Sequence, residues 1–415
     1  MEAEKVDVLV IGAGPSGTVA AAIINRAGLK TKIVEKEKFP RFVIGESFLP
    51  RCMEPLEDAG FLDVLQKQGF QEKFGAKFVN SEKKVMDFNF ANQFSTGRTW
   101  TWQVPRAKFD KVLADEVERM GVPISYETTV TDIKFNGTNS TTTVVEKDGT
   151  TKTIEARFIV DASGYGRVIP RLFNLDRPSN LPPRKSIFAH IKDTRRADYI
   201  ESNRILIIDH KPGVWAWCIP FSDGTSSCGF VGDPEFFDDF TGTPEEQLTA
   251  IIASEWSIAE RFKDPEFIFS PRTIQAWSST TDKFYGEGFV LTGNVTEFLD
   301  PIFSSGVTLA TVSSQLAAHL TVRQLNGEKI DWQKEYMEPT MVGVDTFRSY
   351  VMAWYDGTLQ KIFFSGQSNE DVTKQICSVL AGYVWDQENP YVKNHATCLP
   401  RLVRMIELGK KISEF

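Results

Sequence analysis

The first 35 residues carry the pattern that most constrains the fold. Residues 6–11 form a short β-branched run, and residues 12–17 follow as the glycine pattern G-x-G-x-x-G. Residues 18–28 then read as a helix that stops at a glycine, and residues 31–34 read as a second strand that ends at Glu35. This order predicts the nucleotide-binding start of an α/β fold, in which a strand, a glycine turn, a helix, a second strand and an acidic residue follow one another.

Each glycine of the turn has its own physical role. Gly12 permits the tight turn, Gly14 lets a pyrophosphate approach the backbone, and Gly17 lets the helix pack closely on the strand. Free N–H groups at the helix start favour phosphate charge. Glu35, 18 residues past Gly17, is placed to accept hydrogen bonds from ribose hydroxyls. The predicted cofactor contacts of this segment are Gly12, Gly14, Pro15, Ser16, Gly17, Glu35 and Lys36.

Composition excludes several classes of partner. The chain has 415 residues with 47 Lys and Arg against 55 Asp and Glu, a net charge of −8, which argues against a nucleic-acid surface or a polybasic membrane anchor. Five separated cysteines and four separated histidines predict neither a disulfide framework nor a metal site. An acidic N-terminus and polar interruptions in residues 306–322 argue against a signal peptide and a membrane span. We therefore expect a cytoplasmic protein that acts on small molecules.

Two later strand patterns end in glycine-containing loops. Residues 156–161 lead into Asp161-Ala-Ser-Gly164, and residues 288–292 lead into Gly293-Asn294. Ligands of open α/β sheets bind at the carboxyl ends of strands, where these loops begin. The pattern resembles the FAD-binding fold of para-hydroxybenzoate hydroxylase and geranylgeranyl reductase. Those enzymes usually have Gly-Asp at the second loop, and Asn294 keeps the carbonyl but not the charge, so the resemblance implies a weaker hold on FAD.

The same resemblance extends to the loop at residues 39–50 and to the segment that starts at Arg106. It implies that the loop lies beside the isoalloxazine ring and that Arg106 contacts the ribityl-phosphate region. Without the resemblance, Arg106 is an ordinary charged residue before a helix. The further FAD contacts implied are Arg41, Glu46, Ser47, Arg106, Asp161, Ala162, Ser163, Gly164, Gly293, Asn294, Pro301, Gly306 and Val307.

Two tryptophans, Trp215 and Trp217, stand at positions i and i+2, so on a strand both face the same side. They form an aromatic wall, either over a core or along a cavity. The spelling W-x-W-x-I-P resembles the flavin-dependent halogenases, in which this motif separates the substrate from the flavin. Geranylgeranyl reductases usually have Y-x-W-x-F-P instead.

Residues 298–306 match F-x-x-P-x-x-S-x-G, and a helical pattern follows them. Backbone N–H groups at Ser305 and Gly306 would form an anion site at a helix start, although a plain serine cap is the alternative. The resemblance implies that chloride or bromide binds here. Tryptophan halogenases have a glutamate where this chain has Phe303, which implies a phenol- or pyrrole-like substrate or the loss of halogenation.

Residues 70–78 alternate in polarity, with Phe70, Phe74 and Phe78 in one set and Lys73 and Lys77 in the other. Lysines on such a face are often solvated. The segment is nevertheless similar to F-x-x-K-x-G-A-x-F of carrier- or phenol-type halogenases, whose lysine is catalytic. We predict Lys73 as that residue, with Lys77 as the alternative.

The resemblance to flavin-dependent halogenases covers about residues 5–325 through several separated motifs. It implies that FAD, reduced by a separate NAD(P)H-flavin reductase, reacts with O2 and halide to make hypohalous acid. That acid would halogenate an electron-rich aromatic substrate, free or bound to a carrier protein. The catalytic residues implied are Lys73, Trp215, Trp217, Ser305 and Gly306. A geranylgeranyl reductase-like dehydrogenase or monooxygenase and a non-catalytic flavin-binding protein remain as alternatives.

The predicted fold class is α/β, with three regions. Residues 1–75, 100–180 and 275–325 form a Rossmann-like FAD-binding domain. Residues 76–99 and 181–274 form an inserted antiparallel β-sheet domain for the substrate. Residues 326–415 form a C-terminal helical region.

Overall fold

The computed structural model describes residues 3–179, 181–197, 200–367 and 369–413. The outermost residues of the predicted FAD-binding and helical regions, 1–2 and 414–415, lie outside the described residues. The strands are β1 Glu4–Ile11, β2 Thr31–Val34, β3 Gln71–Lys73, β4 Gly75–Asn80, β5 Val85–Asn89, β6 Thr101–Gln103, β7 Ile124–Ser125, β8 Thr128–Asn136, β9 Asn139–Glu146, β10 Thr151–Asp161, β11 Asp176–Arg177, β12 Lys185–Lys192, β13 Ile205–Lys211, β14 Val214–Pro220, β15 Thr225–Gly232, β16 Arg272–Gln275, β17 Ser279–Thr281, β18 Tyr285–Gly286, β19 Phe289–Leu291 and β20 Glu297–Phe298. The helices are α1 Pro15–Arg26, α2 Met53–Asp58, α3 Leu62–Gln66, α4 Arg106–Arg119, α5 Val168–Leu172, α6 Pro244–Ala253, α7 Ser305–Leu325, α8 Glu338–Tyr355, α9 Thr358–Phe363, α10 Glu370–Leu380, α11 Pro390–Lys393 and α12 His395–Ser413.

A mainly parallel sheet carries the start of the chain. Its strand order is β18-β19-β10-β1-β2-β7, and β1 pairs in parallel with both β10 and β2. The hairpin β8-β9 extends it through β10, and α1 packs against both α4 and α7. The carboxyl ends of β1, β2, β10 and β19 therefore meet at one edge. This arrangement confirms the predicted α/β fold class.

The first helix begins at Pro15, three residues before the predicted helical run. Proline suits the first turn of a helix because its missing N–H has no intrahelical partner there. The later boundaries follow the sequence patterns closely, with α7 running from Ser305 to Leu325.

A second sheet has the order β16-β12-β15-β14-β13-β4-β5. One face packs with α8 and α10 in a core that contains Trp215 and Trp217, and the other packs against α6. Neighbouring strands are antiparallel except for β4 and β13, which are parallel. The predicted antiparallel sheet is thus confirmed apart from this one pair, in which β4, from a distant segment of the chain, lies between β13 and the edge strand β5.

Residues 70–78, which alternate in polarity, belong to two strands in different sheets. The chain leaves β3, which pairs with β6, and after Phe74 enters β4, which pairs with β5 and β13. Lys73 is consequently buried while Lys77 is half-buried. Lys73 and Lys77 belong to the same alternating set in the sequence, but the change of sheet between them gives them different environments.

From residue 338 onwards the described chain is mainly helical, as the C-terminal pattern predicts. Phe347, Tyr350 and Trp354 of α8 pack into the core beneath the second sheet. No helix among the described residues has the length and apolar character needed to cross a bilayer.

Candidate functional site

A cavity of about 880 Å³ lies between the two sheets, within the range of cofactor and small-molecule sites. One part of its wall is the edge of the parallel sheet, where the loops after β1, β2 and β10 meet. Another part is aromatic and comes from β12 and β14. The cavity-lining residues among the predicted contacts are Gly12, Gly14, Pro15, Ser16, Glu35, Lys36, Arg41, Glu46, Ser47, Arg106, Ala162, Ser163, Gly164, Trp215, Trp217, Asn294, Pro301, Gly306 and Val307.

The turn after β1 forms a phosphate cradle. A Cβ on Gly12 would lie 2.6 Å from the Ala162 carbonyl oxygen, and a Cβ on Gly17 would lie 1.9 Å from the Gly12 oxygen. Gly12 also has φ +99°, so both positions require glycine. Gly14 is the N-cap of α1 and offers no side chain to the first-turn N–H groups, which leaves them for an anionic ligand.

Glu35 is buried at the end of β2 and faces the same space. Its Oε2 accepts a hydrogen bond from the Ala13 N–H and its Oε1 accepts one from the Glu37 N–H, both at 2.8 Å. Each carboxylate oxygen keeps a second lone pair for a ligand hydroxyl. The glycine cradle and this acceptor together fit the pyrophosphate and ribose of a dinucleotide such as FAD.

Alanine at position 14 is expected to weaken FAD binding at least about tenfold without disturbing the fold. Gly14 has φ −71°, which any residue adopts, and an added Cβ would meet only the end of Arg41, at 3.5 Å. The methyl group would instead occupy space in the cavity. Flavin fluorescence quenching on titration of the apoprotein measures the change. Gly409→Ala, in α12, is the matched control, and unchanged affinity in Gly14→Ala would contradict the assignment.

Asp161 and Gly293 shape the cavity from behind and do not line it. The Asp161 carboxylate accepts the N–H groups of Ser163 at 3.0 Å and Ile169 at 2.7 Å, while its burial raises its pKa. The Gly293 N–H donates to Ser313 Oγ, and its φ is +60°. Their neighbours Ala162 to Gly164 and Asn294 line the wall.

Arg106 and Arg41 share one carboxylate at the edge of the cavity. Asp110 accepts two hydrogen bonds from Arg106, at 2.8 and 3.0 Å, and one from Arg41 at 2.9 Å. Arg106 also donates to the Gly45 carbonyl at 3.0 Å. It therefore holds the loop at residues 39–50 in place as well as lining the cavity, a structural role that its sequence position alone does not indicate.

Lys73 lies behind this loop and does not line the cavity. Its Nζ donates to Ser47 Oγ at 2.9 Å and to the Phe48 carbonyl at 2.7 Å, and lies 5.5 Å from the centre of the Phe90 ring. Because the side chain is completely buried, the pKa of Lys73 falls to about 7. Ser47, which accepts a hydrogen bond from the amine, does line the cavity.

The two tryptophans face the same side of β14 and line the cavity, with ring centres 5.8 Å apart. Trp217 Nε1 donates to Ser227 Oγ, and Trp215 Nε1 donates to the Tyr355 hydroxyl, each at 3.0 Å. Tyr355, at the end of α8, in turn donates to Asp300 at 2.9 Å. Sequence reasoning missed Tyr355, because an aromatic residue in a helical pattern carries no sign of a contact 140 residues away.

The start of α7 is the position at which the sequence predicts an anion site. Asp300 accepts the Ile302 N–H at 3.0 Å and so organises the turn at residues 301–303; its burial raises its pKa to about 6. Ser304 adopts a left-handed conformation, φ 55°, and its side chain does not cap the helix, unlike an ordinary serine N-cap. Gly306 lines the cavity, whereas Ser305 is buried beside it.

Phe303, which stands where tryptophan halogenases have glutamate, is a core residue. Its ring packs edge-on against Tyr350 and Trp354 of α8. It does not line the cavity, so this wall has no carboxylate at position 303. Glu46 belongs to the cavity wall, but its side chain is completely buried and pairs with His190.

The fold and the cavity define an FAD-binding oxidoreductase of the α/β class. The family model described as "FAD binding domain" matches residues 5–220, more than half of the chain. A pyrrole-2-carbonyl carrier-protein brominase from Pseudoalteromonas luteoviolacea is 27% identical over 93% of this chain and 94% of its own length. The corresponding chlorinase from Pseudomonas fluorescens is 26% identical over 75% of this chain and 74% of its own. The chain belongs to the FAD-binding domain family, and it is similar to flavin-dependent halogenases of that kind.

A solved structure from Cytophaga hutchinsonii, described as a flavoprotein/dehydrogenase, is also similar to this chain. It is 60% identical over 98% of this chain and all of its own, with a TM-score of 0.96. The overall fold is therefore shared by a protein whose description names a dehydrogenase.

Proposed function

We propose that the protein is a halogenase that uses reduced FAD, O2 and a halide to halogenate an electron-rich aromatic ring. The observation that carries the proposal is that the nucleotide cradle, the start of α7 and the tryptophan pair all line one cavity. The curated relatives named as pyrrole-carbonyl halogenases support it. A separate NAD(P)H-flavin reductase would supply the reduced FAD.

Bound FAD supplies the oxidising chemistry, for which the balance is FADH2 + O2 + X⁻ + H⁺ → FAD + HOX + H2O, with chloride or bromide as X⁻. The first-turn N–H groups of α7 at Ser305, Gly306 and Val307 hold the halide. Trp215 and Trp217 keep the aromatic substrate apart from the flavin. The start of α7 and the tryptophan pair thus separate the place where HOX forms from the place where it halogenates the substrate.

Lys73 is the residue we propose to take up HOX. A pKa of about 7 leaves a large share of its amine neutral near pH 7, and a neutral amine is nucleophilic. The amine would form a haloamine and water, and the haloamine would transfer its halogen to the ring and regain a proton from it. Rotation of the Ser47 side chain would open the path, because its hydroxyl holds the amine. Lys77, in β4, is only half-buried and therefore lacks the environment that lowers the pKa of Lys73.

The substrate class follows from the reaction and from the relatives. Attack by an electrophilic halogen requires an electron-rich ring, such as a phenol or a pyrrole. The two relatives named above act on a pyrrole-carbonyl group borne by a carrier protein, according to their names. A free phenol and a carrier-bound pyrrole are therefore the two substrate forms to test.

Brominated product is expected when the protein is incubated with FAD, a flavin reductase, NADH, bromide and a panel of phenols and carrier-bound pyrroles. Mass spectrometry detects the product, and omission of bromide is the control. A crystal soaked in bromide is expected to show anomalous density within hydrogen-bonding distance of the Gly306 N–H. Hydrogen peroxide as the sole product across the panel, with no bromide at α7, would contradict the proposal.

A dehydrogenase or reductase is the second candidate, favoured by the description of the 60% identical structure. Such an enzyme would exchange hydride or electrons with an unsaturated substrate, and would need neither halide nor O2. Rapid reoxidation of the reduced holoenzyme by a prenyl substrate under anaerobic conditions would favour it. Stopped-flow absorbance of the flavin measures this reoxidation, and the rate measured without substrate is the baseline.

A further inference from the structure

Arg272 is a cavity-lining arginine whose guanidinium has no hydrogen-bond or ion-pair partner among the described residues. The residue is exposed, and its contacts are with two aromatic rings. The guanidinium carbon lies 4.3 Å from the centre of the Phe42 ring and 4.9 Å from that of the Phe269 ring. Aromatic rings attract a cation but provide no oxygen acceptor, so the N–H donors of Arg272 remain available to a ligand.

Four other arginines in the described part of the chain lie over aromatic rings, and each of them also pairs with a carboxylate. The pairs, at 2.5 to 2.9 Å, are Arg41 with Asp110, Arg51 with Glu54, Arg184 with Asp233 and Arg261 with Asp193. Arg272 has the rings without the carboxylate. It is thus the member of this set that is left to pair with an anion from outside the chain.

The strand register places the Arg272 side chain on the cavity-facing side of the second sheet. Arg272 of β16 pairs directly with Phe188 of β12, and Ile274 pairs with Ser186. Directly opposed residues of antiparallel strands point to the same face of a sheet, and all four of these residues line the cavity. Since β16 is an edge strand, Arg272 lies at the rim of the cavity and not in its interior.

The other cationic residues of the cavity wall belong to its nucleotide part or already have a carboxylate partner. Arg41 and Arg106 share one carboxylate, as described above. Lys36 follows β2, and Arg171 lies in α5, after β10, so both come from the edge of the parallel sheet. Among the described residues, Arg272 is therefore the cation that the second sheet contributes to the cavity wall.

We infer that Arg272 binds a carboxylate on the aromatic substrate, whose ring lies against the aromatic part of the wall at Phe188 and Trp217. The inference deepens the proposed function and rests on it for the aromatic class of the substrate. A single guanidinium matches one carboxylate with two parallel hydrogen bonds, and without a second cation beside it the site suits one negative charge better than a phosphate dianion. A carboxyl group that is joined to a carrier protein has no charge, so the site selects the free aromatic acid over the carrier-bound form.

Binding of 6-hydroxy-2-naphthoate and of its neutral amide, 6-hydroxy-2-naphthamide, to the oxidised holoenzyme tests the inference without any turnover. The two ligands differ in charge but have nearly the same shape, and isothermal titration calorimetry measures both dissociation constants. We expect the wild-type protein to bind the carboxylate at least about tenfold more tightly than the amide. In Arg272→Gln this preference is expected to fall to within about twofold, because only the carboxylate binds more weakly.

Arg195→Gln is the matched control. Arg195 is also exposed and follows β12, but it does not line the cavity, and its replacement changes the net charge by the same amount. This variant is expected to keep the wild-type preference. Arg272→Lys keeps the charge but not the planar fork, so its preference is expected to lie between those of the wild type and Arg272→Gln. The affinity for FAD is expected to be unchanged in all three variants.

Full preference for the carboxylate in Arg272→Gln, or no preference in the wild-type protein, would overturn the inference. So would a loss of FAD affinity in Arg272→Gln with the preference intact, because the cation would then serve the cofactor. The bromination assay separates this site from the proposed function. If the preference depends on Arg272 but no brominated product forms, the carboxylate site stands and halogenation fails. If brominated product forms but the wild type shows no preference, halogenation stands and the carboxylate site fails.

Discussion

Replacing Lys73 with alanine is expected to lower the yield of brominated product at least about a hundredfold, while reduced FAD is still oxidised by O2 at close to the wild-type rate. The reason is geometric. Lys73 lies behind the loop that carries Glu46 and Ser47, so its removal leaves the nucleotide cradle and the start of α7 unchanged. The oxidant would then form but would not be passed to the substrate.

The measurement is the ratio of brominated product to reduced flavin consumed, in the presence of bromide and a phenol that the wild-type protein accepts. Lys77→Ala, four residues along in β4, is the matched control and is expected to keep most of the product. Equal loss in both variants would indicate a general effect on this segment, and undiminished product in Lys73→Ala would remove Lys73 from the mechanism.

The burial of Lys73 also predicts a large pH dependence of stability. Its pKa is about 7 in the folded protein, against 10.5 for a lysine exposed to water, so the unfolded chain binds one more proton between these values. The free energy of unfolding of the wild type, measured relative to that of Lys73→Met, therefore rises as the pH increases from 7 to 10.5. Over the whole interval of about 3.5 pH units, this gain in the free energy of unfolding is about 5 kcal/mol.

Urea unfolding of the wild-type protein and of Lys73→Met at a series of pH values between about 6 and 10.5 measures this difference. Methionine has a similar volume and no charge, so it removes the titration and keeps the packing. The free energy of unfolding of the wild type is expected to gain on that of the variant between pH 7 and pH 10.5 and to show little relative change below pH 7. A constant difference would show that Lys73 is not neutralised by burial, and Lys77→Met serves as the control with no such gain.

Local patterns in the sequence predict most of the fold. The glycine turn, α1, β10, β12, β14 and α7 lie close to where periodicity and turn residues indicate, because each of these segments is buried and carries a strong apolar pattern. The parallel pairing of β4 with β13 and the change of sheet at Phe74 were not predictable in this way. Both depend on which distant strand is available as a neighbour.

Motif spacing likewise indicates many of the candidate site residues but not their roles. Gly12 to Gly17, Trp215 and Trp217 have signals in the local sequence, whereas His190 and Tyr355 have none. Asp161 was predicted to contact FAD, and its carboxylate is used instead to hold the N–H groups of Ser163 and Ile169. Which atoms of a residue face a cavity depends on its long-range hydrogen bonds.

The sequence by itself determined the class of the protein, because a dinucleotide cradle needs small residues at fixed spacing between a strand and a helix, and those requirements are local. Only the tertiary structure decided the state of the reactive groups. Lys73 loses its proton easily because segments from distant parts of the chain exclude water around it, and Trp215 has its hydrogen-bond partner in Tyr355, 140 residues away. Burial and long-range pairing are properties of the packed molecule, and no short stretch of sequence contains them.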